Sequence, residues 1–228
     1  MKHQEQFPGQ AIAGLRTRLL VMCAAVGIAL DESFRALDET SPARAAAVID
    51  GDTVIDDLED EIDEQALCLL ARSQPVACDL RFVVGALRMV SDLERMGDEA
   101  VSIAEQAILL QDLEHGPSMP DEMRQMLSRV RAAFARAEEA FRSHDGDVAL
   151  RMSDEDDEAV QSEVLVIQRL MERLTARPGC DPRWVMHYIL VAHSLSRIWR
   201  RAVNVAEHVH FITRGQSLKH GADACREA

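Results

Sequence analysis

Asp52 and Asp56, and again Glu94 and Asp98, stand four residues apart in stretches that read as long helices. Positions i and i+4 lie on one helix face a turn apart, so each pair presents two carboxylates side by side. Like charges at that spacing disfavour an isolated helix by roughly 0.2–0.5 kcal/mol, and burying them unpaired costs several kcal/mol more. A cation set between two such pairs removes both penalties, and a hard metal ion that accepts carboxylate oxygens is the simplest one. The competing reading is that these are solvated charges on helix flanks.

Helical phase separates the two readings. At about 100° per residue, Leu87, Val90, Gly97, Val101, Ala104 and Ile108 form one apolar stripe with Glu94 inside it and Asp98 at its edge. On the preceding helix Ile55, Leu58, Ile62, Ala66 and Leu69 mark the core face, flanked by Asp52, Asp56 and Glu59. Both pairs are therefore expected to lean toward the bundle interior. Gly97 strengthens this, because a mid-helix glycine costs about 1 kcal/mol relative to alanine and marks close backbone approach or a need for room.

Other groups carry less. His187, His193, His208 and His210 crowd the last helical segment without paired i,i+4 spacing, and Glu207-x-x-His210 is a single copy of a motif that di-iron bundles use twice. Arg72, Arg81, Arg88 and Arg95 are available to pair with the acidic runs at Asp56 to Glu64 and Asp154 to Glu158. No phosphate-binding Gly-rich loop, catalytic triad or catalytic-cysteine context is present.

The elements that must position the carboxylates follow from composition and punctuation. The 228 residues include 47% hydrophobic ones, enough for a real core, and only 7 prolines and 11 glycines, with Val and Ile at helical spacing. The fold class is all-α. A net charge of −14 with no basic patch argues against nucleic acid and anionic lipid as partners. Five cysteines, Cys23, Cys68, Cys78, Cys180 and Cys225, show no C-x-x-C spacing, which suits a reducing compartment. The polar first ten residues do not open a signal peptide, so a soluble cytoplasmic protein without membrane insertion is expected.

Six helical segments are expected: Gln10 to Leu37, Ser41 to Arg72, Pro75 to Asp112, Asp121 to Ser143, one from the Asp145-Gly146 turn to Ala176, and Asp181 to Arg214. Ser41-Pro42 and Asp181-Pro182 supply N-cap and first-turn residues, while Gly116 to Pro120, Pro178-Gly179 and Gly215 break the chain. The halves resemble each other: Leu93, Arg95, Ala100, Val101, Ala104 and Glu105 recur as Leu195, Arg197, Ala202, Val203, Ala206 and Glu207. This predicts two tandem three-helix bundles from an internal duplication, residues 10–115 and 119–215, followed by a frayed tail, 216–228. The second copy loses the acidic pair, since Glu94, Gly97 and Asp98 align with Ser196, Trp199 and Arg200. Its partner helix aligns as Asp154 and Glu158, or as Asp156 and Val160, leaving no acidic pair to face in either register.

Ile49-Asp50-Gly51-Asp52, Ile55-Asp56, the stretch Gln74-Pro75-Val76-Ala77-Cys78-Asp79-Leu80-Arg81, and Leu93-Glu94-Arg95-Met96-Gly97-Asp98 followed by Ile103-Ala104-Glu105 together resemble the PhoU family, over nearly the whole chain. These are accessory and regulatory proteins of phosphate-specific transport. The resemblance implies tandem three-helix bundles with E(D)-x-x-x-D metal motifs that hold iron or zinc, and so makes Asp52, Asp56, Glu94 and Asp98 the metal-ligand candidates. It implies a non-enzymatic negative regulator of phosphate-starvation genes that links the ATPase subunit of the phosphate transporter to a sensor histidine kinase and forms a homodimer. The divergent Leu195-Ser196-Arg197-Ile198-Trp199-Arg200 leaves one metal-competent bundle and one metal-free bundle. The alternatives are a di-iron type carboxylate-bundle enzyme, which needs histidine ligands that the four carboxylates lack, and a diverged paralogue serving another transporter.

Overall fold

A computed structural model describes residues 6–111, 113, 118–152, 155–176, 181–216 and 218. Among these the chain forms α1 (Gln6–Glu39), α2 (Pro42–Gly51), α3 (Thr53–Ser73), α4 (Ala77–Gln111), α5 (Asp121–Ser143), α6 (Val148–Arg151), α7 (Glu155–Ala176) and α8 (Pro182–Arg214), and no strand. The expected all-α architecture of two three-helix bundles is what folds. Asp154, the Pro178-Gly179 break and nearly all of the expected tail lie outside the described residues.

Local chemistry sets the helix boundaries. Pro42 and Pro182 open their helices where a missing N–H costs nothing, and Asp181 caps α8 by accepting from the Arg183 backbone N–H at 2.9 Å. α3 ends at Ser73, with Gln74 left-handed at φ 44° before Pro75, and α8 ends at Arg214, with Gly215 left-handed at φ 74°. Two expected segments are each split. The second breaks at Asp52, whose own carbonyl accepts from Ile55 and Asp56 to start α3 while its N–H still bonds back to Ile49. The fifth divides into the short α6 and α7.

α1, the α2–α3 pair and α4 pack around Leu19, Met22, Ile62, Leu93 and Ile103; α5, α7 and α8 pack around Met123, Met126, Val130, Leu170 and Trp199. α4 and α8 join the two bundles, assisted by α1 against α5. Gly85 lets α4 approach α8 closely, since a Cβ there would run into the Ile212 side chain. Because α4 is covered by α1, α2, α3 and α8, its buried face is wide: Ala86, Met89, Val90, Leu93, Met96, Gly97, Ala100, Ile103, Ala104 and Ala107. The expected stripe was rotated relative to this face. Leu87, Val101 and Ile108 are only partly buried at its margin, and Glu94 lies there with them.

α1 also has the length and apolarity of a membrane-crossing helix between Gly9 and Glu39, a test that the core helix of a bundle also passes. Here Leu15, Leu19, Met22, Cys23, Val26 and Leu30 point into the first bundle.

Candidate cation-binding site

Glu94 and Asp98 line one pocket at the rim where α3 meets the middle of α4, Asp52 stands against Gly97 beside it, and Asp56 does not line the pocket. Asp52, Glu59 and Glu94 are half-buried, while Asp56 and Asp98 are exposed, so the pairs edge the bundle and do not enter its core. Gly97 makes the approach possible: a Cβ there would sit 3.0 Å from Ile55 Cδ1 and 3.2 Å from Asp52 Oδ1. An open pocket of about 480 Å³ is lined by Glu59, Ser91, Glu94, Arg95, Asp98, Glu99 and Arg201.

Mutual repulsion shows in the carboxyl groups. Glu94 is pushed up to about 7 by burial, then by the charges of Asp98 and Glu59 and a hydrogen bond shared with Asp98, with Arg95 opposing. Asp52 is raised by burial and by Asp56 and Asp98, and Glu59 by burial and by Asp63, Asp60, Asp56 and Asp98. Burial first, and neighbouring negative charge second, disfavour the ionised form of these carboxyl groups. That is the environment in which a bound cation is favoured, and an all-oxygen donor set suits a hard one. Among the described residues, no three His, Cys, Asp or Glu side chains are already gathered in metal-binding geometry. The carboxylates are all-oxygen donors, but they do not form a cage.

The corresponding corner of the second bundle is filled from within. Trp199 Nε1 donates to Glu155 Oε2 at 2.8 Å, and Arg136 grips the same carboxylate through both guanidinium nitrogens at 2.6 and 2.7 Å. Gly97 stands against Asp52, whereas its aligned residue Trp199 reaches Glu155. Neither register expected from the sequence selects Glu155. Arg200, aligned with Asp98, turns to Asp156 at 3.9 Å.

Between the bundles runs a polar seam that sequence reasoning missed. Gln106 meets His187 at 2.8 Å, Ser102 meets Ser194, Glu99 meets Arg197, and Asp92 accepts from Arg201 and Asn204 and pairs with His208 at 3.0 Å. The pairings run in opposite numerical order, so α4 and α8 are antiparallel. Burial pushes the Asp92 carboxyl up, but His208, Asn204 and Arg201 outweigh it and hold it below the usual range. The faint signal was the spacing of Asp92, Glu99, Ser102 and Gln106, which keeps these polar residues on one α4 face.

The crowded histidines go to separate partners: His187 to Gln106, His193 to Glu163, His208 to Asp92 and His210 to the Gly146 carbonyl. Of the four arginines expected near the acidic runs, Arg95 lies beside Glu94, whereas Arg88 sits over the Phe211 ring and Arg81 contacts Cys78.

The model of the PhoU domain matches this chain twice, over residues 19–107 and 123–209. The chain belongs to the PhoU family. A phosphate-specific transport system accessory protein PhoU homolog from Pseudomonas aeruginosa is 32% identical, over 95% of this chain and 88% of that protein. The PhoU protein of Escherichia coli, also called a phosphate-specific transport system accessory protein, is 29% identical over 92% of this chain and 86% of its own length. The crystal structure of PhoU from Pseudomonas aeruginosa superposes with a TM-score of 0.84, covering 91% of this chain and 99% of that one. A Streptococcus pneumoniae PhoU structure, 22% identical with a TM-score of 0.83, shares the fold.

Proposed function

We propose that this chain is a cytoplasmic, non-enzymatic accessory protein of a phosphate uptake system that restrains phosphate-starvation signalling when phosphate is plentiful. It acts as an adaptor between the ATPase subunit of the transporter and a sensor histidine kinase, and works as a homodimer. The observation that supports this best is the match of both repeats to the PhoU domain, in relatives named as accessory proteins of phosphate-specific transport.

In this reading Asp52, Asp56, Glu94 and Asp98 hold a divalent or iron-type cation, iron or zinc by family resemblance. A bound cation would supply positive charge opposite these carboxylates. Gly97 keeps the two helices close enough to share it, and Arg95 at the pocket supplies part of the compensating charge. The second bundle takes no cation, because Glu155 is already satisfied by Arg136 and Trp199.

Deleting the gene in its host and measuring alkaline phosphatase in phosphate-rich medium tests the regulatory role. Constitutive activity that the restored gene reverses is expected. Unchanged repression would replace it with the second reading, a diverged paralogue answering to another transporter, which the rebuilt corner at Trp199 favours.

A further inference from the structure

A second pocket, of about 320 Å³, opens where the ends of α1 and α4 meet the starts of α5 and α8, so both bundles wall it. That volume lies in the range of small-molecule sites. Leu37, Leu110 and Met119 give it apolar walls, and Asp38, Arg124 and Tyr188 give it polar groups. Tyr188 is 6% exposed, and its ring packs against Trp184 with centroids 4.6 Å apart, which fixes the phenol. The charges that act on its hydroxyl are those of Arg124 and Asp38, both pocket residues, and of Arg173, so the oxygen stands at the polar end of the pocket. Among the described residues this hydroxyl makes no hydrogen bond, although a buried Tyr O–H ordinarily finds a partner. Unlike Arg81 Nε and His210 Nε2, it is not sealed inside the protein. Burial pushes the phenol up to about 12, so it keeps its proton at neutral pH and is a donor.

A free donor beside a guanidinium calls for an acceptor that carries negative charge, and a carboxylate accepts from both at once. Asp38, from the other bundle, already shows what Arg124 takes at the pocket edge, and among the described residues it engages only Nη1. We propose that this pocket binds a small aliphatic monocarboxylate, its carboxylate held by the Arg124 guanidinium and the Tyr188 hydroxyl and its chain laid against Leu37, Leu110 and Met119. Phosphate would satisfy the donors but leave the apolar walls uncovered. An alcohol of the same length would cover the walls but bring no charge to Arg124. Because the walls come from α1, α4, α5 and α8, an occupant bridges the two bundles and stabilises their contact. This goes beyond the accessory role and does not depend on it or on the acidic rim.

Isothermal titration calorimetry of the full chain with hexanoate tests it, with 1-hexanol and inorganic phosphate as comparisons. Hexanoate is expected to bind, and each comparison to bind at least about tenfold more weakly. Tyr188→Phe removes a hydroxyl that holds nothing else, and should keep the fold while weakening hexanoate about tenfold. Arg124→Gln, at a side chain 48% exposed, should weaken it more. A tenfold loss in either variant, with the helical circular dichroism unchanged, supports the proposal. Undiminished binding by both folded variants overturns the placement at this pocket. Hexanol binding as tightly as hexanoate, or phosphate more tightly, overturns the carboxylate class, and no hexanoate binding by the unaltered chain overturns the site.

Discussion

The indole N–H of Trp199 meets the Glu155 carboxylate at 2.8 Å, in the place where the first bundle sets Gly97 against Asp52. One duplicated corner has thus been resolved twice. In one copy a glycine leaves a half-open acidic rim, and in the other a tryptophan and an arginine close it.

Replacing Trp199 with glycine should cost about 3–5 kcal/mol, because a buried side chain exposed by only 2% is lost and Glu155 loses a donor. Urea unfolding measures this. Glu155→Gln should cost less, about 1–3 kcal/mol, since Arg136 is 46% exposed and can turn to water.

Glu94 makes stability depend on pH. Its folded value of about 7 lies above its ordinary 4.5, so the folded state holds the extra proton, and stability falls as pH rises from 4.5 through 7. Glu94→Gln should flatten that slope and raise stability at pH 8 by up to about 1 kcal/mol after solvent screening. Thermal melts across the range check it.

Asp92 behaves in the opposite way. Its carboxyl is held below 3.8, so its contribution is present above that pH and is lost as pH falls through the lower folded value. Asp92→Ala should destabilise by about 3–5 kcal/mol, leaving Arg201 and His208 without their shared acceptor across the bundle junction. Hydrogen exchange should show the loss first along α4 and α8.

At Gly97 the outcome depends on size. Alanine recovers about 1 kcal/mol of helix propensity but meets Ile55 Cδ1 at 3.0 Å, so the two effects should nearly cancel. Leucine should cost more than about 2 kcal/mol and weaken Mn²⁺ binding by pushing Asp52 away from the rim.

Thiol reactivity should separate Cys23 from the exposed cysteines. Burial pushes the Cys23 thiol up to about 12, while Cys68 and Cys78 are exposed. Site-resolved mass spectrometry after brief alkylation at pH 8 should find Cys68 and Cys78 modified and Cys23 intact.

Much was legible from local pattern. Helices, their proline and glycine boundaries, the duplication and the paired carboxylates all follow from interactions within a few residues, which a single sequence records directly. Of the four carboxylates, Glu94 and Asp98 line one pocket and Asp52 stands against Gly97 of the same helix, but among the described residues no three of them are gathered in metal-binding geometry. Their depth was misjudged. The phase of α4 was read as one stripe, whereas four neighbouring helices bury it, and that number is not written in α4 itself. What tertiary structure alone decided lies about a hundred residues apart: Arg201 joins Asp92 across 109 positions, and Gln106 joins His187 across 81. Such pairs form because folding two amphipathic bundles leaves α4 and α8 to cover each other, and buried polar groups must then find partners wherever the opposite helix provides them.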